Sequence, residues 1–434
     1  MVPRPMRIAS VIAAAALILV ACSNNNNGGA SGGGGGGGNT VSMLVVFGGD
    51  ELKNFESALK PFEDANHIDV KIESNRDANA ILQTRIDGGK PPDVAGLPGP
   101  GPMAQWARDG DLKEMPQDVK DTLASDYSDT YTSAGSVDGK LVGIFAKVSL
   151  KGLIWYNPKA FQAAGYQVPT DDASFQALVD KIANDGTPPW GIGLESGAAT
   201  GWPATDWIED FMVRQSGPDK YDEWWQGKLK FSSPEVKAAF EAFGKWATDE
   251  KYTFGGPNKE LTLAFGNSGD CMFADKPQCY LVHQGSFMSG FFETNFPDKA
   301  KAGETYDYFM MPGQQFNAIT NSGDVFGMFN DTDAAKKLMA YLVSKDFQEA
   351  WVKTGGVLSA NKNVSPDTYP DETGKRAAQD LANAEIIRYD ASDLMPSSLN
   401  DAFFKAVGQY LQNPDQLDTI LKGLDDAQAQ AYQQ

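Results

Sequence analysis

Residues 41–73 read VSMLVVFGGDELKNFESALKPFEDANHIDVKIE, and the fold class follows from how the apolar period changes along them. Val41–Phe47 is a short apolar run with β-branched content and reads as a buried strand. From Asp50 to Asn66, the residues Leu52, Phe55, Leu59 and Phe62 recur at steps of three and four, which places them on one helical face. Ile68–Glu73 alternates apolar and polar residues and reads as a second strand. His67 falls in the turn between the two. Ala78–Ile86 is expected to be helical, and Pro92–Leu97 (PDVAGL) to form a third strand. The order β-α-β-α-β predicts an α/β layer with a mainly parallel sheet.

Further along, Leu141–Phe145 and Gly152–Tyr156 are expected strands joined by AKVSLK (146–151). Helices are expected over Lys159–Gly165, Ser174–Asn184, Asp206–Gln215 and Pro234–Thr248, the last with Ser233 as N-cap and Pro234 in its first turn. Gly191–Leu194, Tyr280–His283, Tyr306–Met311 and Val325–Phe329 read as strands. From Asp333 onward the pattern is mostly helical, through Lys345–Thr354, Lys375–Asn383, Leu399–Leu411 and Gln416–Tyr432. No internal repeat is visible.

The N-terminus is of another kind. Arg4 and Arg7 precede an uncharged run from Ile8 to Ala21, too short for a membrane-spanning helix and suited to the core of a secretory signal peptide, residues 1–21. Leu19-Val20-Ala21-Cys22 resembles the lipobox of bacterial lipoproteins, which implies cleavage before Cys22 and a diacylglycerol on its thiol. The competing reading is an ordinary signal peptide with a chance cysteine. The stretch SNNNNGGASGGGGGGGNT (23–40) is Gly- and Asn-rich and reads as a flexible tether of roughly 23 Å root-mean-square span. Such a chain is expected outside the cytoplasm, anchored to the outer face of the cell membrane, with no transmembrane helix.

After Cys22, 412 of 434 residues remain (434 − 22), more than one core usually holds, so two lobes are expected. The formal charge of −20 argues against nucleic acid, whose phosphates require clustered Lys and Arg, and disfavours a strongly anionic ligand. Cys271 and Cys279 form an even pair in an oxidising compartment and are expected to be disulfide-bonded. His67 and His283 are the only histidines. No CxxC or HExxH spacing, P-loop or EF-hand is present, so neither a metal nor a cofactor is assigned. The match of residues 29–33 to G-x-S-x-G lies in the tether with no strand before it and reads as chance. A carboxylate pair for glycoside hydrolysis leaves no sequence signature, so a secreted carbohydrate-active enzyme stands as the alternative. A sugar sensor or adhesin is a third reading.

Several stretches together resemble a known family. The ordered set comprises the first strand followed by GGDE, the PPDV strand, LVGIFAKVSLKGLIWYN and FQAAGYQVPT. It is similar to the extracellular solute-binding proteins of ABC sugar importers, of the maltose-binding-protein type. Asn75-Arg76-Asp77, KGLIWYNPKAFQAAGY, GLESGAATGWPATDWIEDFMVR, the HQGSF segment and DASDLMP resemble the α-glucoside-binding subgroup. The resemblance covers essentially the whole chain after the tether. It implies the two-lobed periplasmic-binding-protein fold (type II), with strands crossing between discontinuous lobes near 147–151 and 312–318. The lobes are expected at 41–148 plus 316–358 and at 149–315 plus 359–434. The implied activity is capture of a sugar, an α-glucoside or other oligosaccharide, in the cleft and delivery to a membrane permease. No catalysis is implied, and a monomer is expected.

A pyranose has apolar C–H faces and a polar rim, so its site needs aromatic faces and a partner for each buried hydroxyl. Asp50 and Glu51 follow the first strand, at the edge where ligands of α/β sheets bind; an acidic first helical turn explains them equally. Arg76 follows a strand directly and offers a fork of donors, with a salt bridge as the competing role. Pro98–Gly101 could bring backbone groups to the cleft. Lys151 lies at the first implied crossing and needs a carboxylate or the ligand as partner. Trp202, in the small-residue loop Glu195–Trp207, is the expected stacking platform, with Glu195 and Asp206 as acceptors; helix capping is the alternative for Asp206. Trp207 reads as core. His283 and Gln284 follow a strand and precede Gly285, so they can face the cleft. Asp324 follows Asn321-Ser322-Gly323, where the subgroup tends to be richer in glycine. Asp393, with Asp390 before it in DASDLMP, completes the set, with capping as its competing role.

Overall fold

The computed structural model describes residues 39–433. The expected signal peptide, Cys22 and most of the expected tether therefore lie outside the described residues. The tether expectation ran one residue too far, because Thr40 already opens the first strand.

Thirteen strands occur in the described residues: β1 Thr40–Val45, β2 Asp69–Ser74, β3 Val94–Leu97, β4 Ser136–Val137, β5 Lys140–Leu141, β6 Gly143–Phe145, β7 Ser149–Leu150, β8 Leu153–Tyr156, β9 Leu281–Gln284, β10 Asp307–Met310, β11 Ala318–Ser322, β12 Val325–Met328 and β13 Ile386–Tyr389. The largest sheet has the order β2-β1-β3-β12-β6. β1 runs parallel to β2 and β3, whereas β12 runs antiparallel to β3 and β6. The β-α-β-α-β reading of residues 41–97 therefore holds. The helix Gly49–Asn66 buries Phe55, Ala58, Leu59 and Phe62 and ends at His67, whose φ of 54° turns the chain into β2. In the cross-strand pair Gly96–Phe326, a side chain at Gly96 would meet the phenyl ring at 2.7 Å, so the ring lies over bare backbone.

Two smaller sheets follow. β10-β8-β9 is antiparallel throughout. In β13-β11-β7, β11 is parallel to β13 and antiparallel to β7. The chain leaves the five-stranded sheet after β6, passes through β7 and enters β8. It returns from β10 through β11 to β12. The β13-β11-β7 sheet thus lies on both connections between the other two.

Buried apolar side chains form two clusters. One surrounds the five-stranded sheet and includes Phe47, Phe55, Phe326 and Trp351, and it continues onto Trp155 and Phe292. The other surrounds the helices Trp202–Trp225, Pro234–Ala247 and Ser397–Gln412, with Trp190, Trp207, Trp224 and Trp246 inside it. A Cys271–Cys279 disulfide, Cα–Cα 5.2 Å, staples the loop before β9. Among the described residues no helix is long and apolar enough to cross a membrane.

Four local expectations need correction. Gly191–Leu194 is not a strand: Gly191 and Gly193 lie against the backbone of Ser268 and Ala264, where a Cβ would clash at 2.2 and 2.7 Å. The segment makes only isolated bridges at Trp190 and Glu195. The helix expected from Asp206 begins at Trp202 and continues to Trp225, interrupted at Gly217 (φ 84°) before Pro218. Asp206 is therefore inside that helix and caps nothing. Finally, β11 and β13 were unforeseen, the latter inside a region read as helical.

Candidate functional site

The segment AKVSLK carries two lysines on either side of β7, and both are buried. Lys147 pairs with Glu51, at the start of the helix behind β1, and with Asp324 at 3.2 Å, between β11 and β12. Lys151 donates to Asp206 at 2.6 Å and lies 3.3 Å from Asp390. Its own backbone N–H donates to Thr320 of β11 at 2.9 Å. An ammonium taken out of water requires close carboxylates, since an unpaired buried charge is far too unfavourable. Burial alone pulls the Lys151 pKa down, but Asp206 and Asp390 outweigh it and raise it above the ordinary lysine value.

Carboxylates outnumber cations around Lys151. Glu209 joins Asp206 on the same helix and accepts from Ala391 N at 2.8 Å and Ser392 N at 3.1 Å, fixing the DASDL turn. In that turn the capping residue is Asp390, whose side chain accepts from Asp393 N; Asp393 is not the cap. Burial pushes the carboxyl groups of Asp206 and Glu209 well above the usual range, and repulsion from Asp390 adds to this. Asp390 is held below it: burial opposes, but Lys151 and hydrogen bonds from Glu209, Asp206 and Ser392 prevail. The closest ion pairs of the cluster are those of Lys151 with Asp206 and Asp390.

An aromatic group adjoins these charges. Trp202 is half-buried and is the first residue of its helix, turned in by Gly201 (φ 114°), where a Cβ would strike Phe404 O at 2.6 Å. Its ring centroid lies 5.2 Å from that of Phe265 and 6.0 Å from that of Phe287, both also half-buried. The Lys151 ammonium stands 4.7 Å over the indole. From the β2 side, the Arg76 guanidinium stands 5.4 Å over Phe265. Glu195 is half-buried in the preceding loop and accepts from Gly197 N at 2.9 Å.

The structure therefore brings Lys151, Trp202, Asp206 and Asp393 into one neighbourhood, with Arg76 reaching it through Phe265. Glu51 and Asp324 meet at Lys147. The Pro98–Gly101 loop touches the DASDL turn, Gly101 N donating to Asp393 O at 2.8 Å. Asp50 stands apart: it is exposed, paired with Lys53 at 2.6 Å, and accepts from Thr294 at 3.3 Å. His283 is buried inside the helical half, Nε2 2.6 Å from Asp210 and its ring 4.2 Å from Trp207. Burial holds its pKa below the usual value despite Asp210, so it is a neutral core side chain. Gln284 turns back on its own strand end, accepting from Gly285 N at 2.9 Å.

Sequence reasoning did not single out Lys147, Glu209, Phe265 or Phe287. Lys147 was legible: it mirrors Lys151 across Val148-Ser149-Leu150. Glu209 is one turn after Asp206 in a helix stretch otherwise rich in aromatic and aliphatic residues, Trp207, Ile208 and Phe211. Phe265 and Phe287 carry no local signature. Among the described residues no three His, Cys, Asp or Glu side chains are arranged to hold a metal ion. Chemically, the arrangement offers apolar ring faces beside buried carboxyl oxygens, which suits an uncharged, hydroxyl-rich molecule.

Comparison with known proteins agrees with this architecture. Residues 57–379 match the family model described as bacterial extracellular solute-binding protein. The osmoprotective compounds-binding protein GgtB of Synechocystis sp. is 36% identical over 380 residues, covering 86% of this chain and 89% of that protein. The alpha-glucosides-binding periplasmic protein AglE of Rhizobium meliloti is 34% identical over 376 residues, 83% of this chain and 81% of that protein. Among solved structures, a chitin oligosaccharide binding protein superposes with a TM-score of 0.77 at 20% identity, covering 90% of this chain and 98% of that one. Maltose-bound T. maritima MalE3 gives 0.71 at 19% identity, covering 90% and 99%. At these identities the structural matches establish the fold alone: two α/β lobes of the type II periplasmic-binding kind.

Proposed function

This chain belongs to the bacterial extracellular solute-binding proteins, a family of binding proteins rather than enzymes, and from that premise we propose that it captures a sugar for an ABC importer. The proposed ligand class is an α-glucoside or a related neutral oligosaccharide. The observation that carries this reading is the half-buried ring group Trp202, Phe265 and Phe287 set directly beside the buried carboxylates Asp206 and Asp390. Rings take the C–H faces of a pyranose, and carboxylate oxygens accept from its hydroxyls. The name of the relative at 34% identity, an alpha-glucosides-binding periplasmic protein, supports the same class.

In this proposal Trp202, Arg76, Glu195, Asp206 and Asp393 contact the sugar. Lys151, Glu51 and Asp324 set the charge around it. The lobes, 41–148 with 316–358 and 149–315 with 359–434, close on it by bending at the β13-β11-β7 sheet. Cys22 carries the lipid, residues 23–39 form the tether, and the loaded protein docks on membrane permease subunits.

The test is a thermal-shift and calorimetric screen of the purified protein against maltose, trehalose, sucrose and their monosaccharides, with each hit recovered and analysed. Stabilisation that grows with sugar concentration, with the sugar intact, is the expected result. Cleaved sugar would overturn binding without turnover. No shift with any sugar would sink the α-glucoside assignment.

A further inference from the structure

We infer that Tyr389 is a positioning residue for solute capture: its hydroxyl pins Gly323 and thereby holds the Lys147 and Lys151 carboxylate clusters in register. The inference rests on the reading of the cleft as the solute site.

Between β11 and β12 the chain passes from one sheet to another in only two residues, Gly323 and Asp324. Gly323 lies outside both strands, so no strand partner satisfies its backbone N–H and C=O. Tyr389 satisfies both. Its Oη accepts from Gly323 N at 2.9 Å and donates to Gly323 O at 2.6 Å. The ring is fixed against Phe145, centroids 5.5 Å apart, and is buried. Gly323 has no room to shift toward the lysine segment, where a Cβ would meet Lys147 O at 2.6 Å.

Each end of this pin touches one charged cluster. On the Gly323 side the next residue is Asp324, partner of Lys147. On the Tyr389 side the next residue is Asp390, partner of Lys151, whose N–H is tied to Asn321 O at 2.8 Å. Simple packing explains the ring but not the hydroxyl. A phenylalanine would pack equally well and would spare burial of an O–H near the carboxylates of Asp393, Asp390 and Asp324. The hydroxyl is retained where it makes two hydrogen bonds to one peptide segment, and removing it would leave two buried backbone groups unpaired. The position of Asp324 relative to Asp390 would then be set loosely, the two charged clusters would lose their register, and a ligand held beside them would lose affinity.

The experiment is Tyr389→Phe, titrated calorimetrically with maltose, trehalose and sucrose alongside the wild type. Each form is also melted with and without sugar. The expected result is a folded variant whose Kd for the sugar that binds the wild type rises tenfold or more. Kd within twofold of wild type, with only a lower Tm, would make Tyr389 a packing residue and overturn the inference. Should the variant fail to fold, hydrogen exchange of the wild-type segment 322–325 decides. Slow exchange that slows further with sugar supports the pin, and fast exchange indifferent to sugar refutes it. Should the wild type bind none of these sugars, the ligand reading falls, yet the Gly323 amide still judges the pin. Protection lost in Tyr389→Phe supports it, and equal exchange in both forms overturns it.

Discussion

Glu260 offers the sharpest test of the energetics. Its side chain is fully buried and neither carboxyl oxygen has a hydrogen-bond partner. Thr253 Oγ1 is nearby but closes no hydrogen bond to it. Burial pushes the pKa from 4.5 up to about 8. The backbone of the same residue supports the loop that leads to Trp202, accepting from Leu194 N at 2.8 Å. The sign of the linkage is set by the raised value. The native state binds the proton more tightly than the unfolded chain, so this stability is complete below pH 4.5 and is lost as pH rises through 8. At about 1.4 kcal/mol per pH unit, the loss reaches roughly 3 kcal/mol by pH 7 and approaches 5 kcal/mol above pH 8.5.

Glu260→Gln keeps the shape and removes the titration. The buried amide adds an offset that does not vary with pH, so the slope alone carries the test. Urea unfolding of both forms at pH 5, 6, 7, 8 and 9 gives the difference in stability at each pH, in which all other titrating groups cancel. The variant is expected to gain on the wild type steadily from pH 5 to pH 8 and then run parallel to it. A pH-independent difference across that range would show that Glu260 is solvated or paired in the native state, and the reasoning from its burial would fall.

Three further outcomes are expected. Trp202→Ala removes a proposed stacking face and should weaken sugar binding by about 2 kcal/mol, roughly 30-fold in Kd by calorimetry, with little change in Tm; unchanged Kd would remove Trp202 from the site. Lys151→Met strands Asp206 and Asp390 in the interior and should destabilise by about 3–5 kcal/mol in urea unfolding, partly recovered when Asp206→Asn is added; no recovery would mean the pairs do not depend on one another. Cys271→Ser opens the short loop before β9 and should cost about 2–3 kcal/mol; a wild type equally sensitive to urea with and without reductant would refute this.

What could be read from the sequence, and what could not, divides on physical grounds. The β1–β3 unit was legible because apolar residues change from a strand pattern to the helical period within thirty residues, and each period implies one geometry. β11 was not, although every residue in it is buried. Its sequence, AITNS, carries Thr320, Asn321 and Ser322, which resemble a loop until their partners are known: Thr320 donates to Asp210 at 2.5 Å and Asn321 to Tyr131 at 3.0 Å. Those partners lie more than a hundred residues away. Among site residues, Lys151, Trp202 and Asp206 were accessible because each is out of character with its apolar or small-residue surroundings. Phe265 and Phe287 are ordinary in sequence and gain meaning only by standing beside Trp202. His283 misled for the opposite reason. A lone histidine at a strand end invites a functional reading, whereas Asp210 and Trp207 make it a core residue.

The charged site follows from one short segment and its register. In extended chain, side chains two and four residues apart share a face, and residues four apart are separated by about 13 Å. Lys147 and Lys151 have that spacing in a segment that crosses between two sheets, so each ammonium reaches the carboxylates of a different half: Glu51 and Asp324 for one, Asp206 and Asp390 for the other. The apolar residues between them, Val148 and Leu150, are fully buried and anchor the strand at that register. A single residue inserted between 148 and 150 would turn one lysine to the opposite face and leave its carboxylates uncompensated, however conservative the insertion. The same constraint explains why so polar a site can be built here at all. Because the strand that joins the halves carries a cation for each, Lys147 stands against Glu51 and Asp324 and Lys151 against Asp206 and Asp390, and neither half buries its carboxylates without a counter-charge.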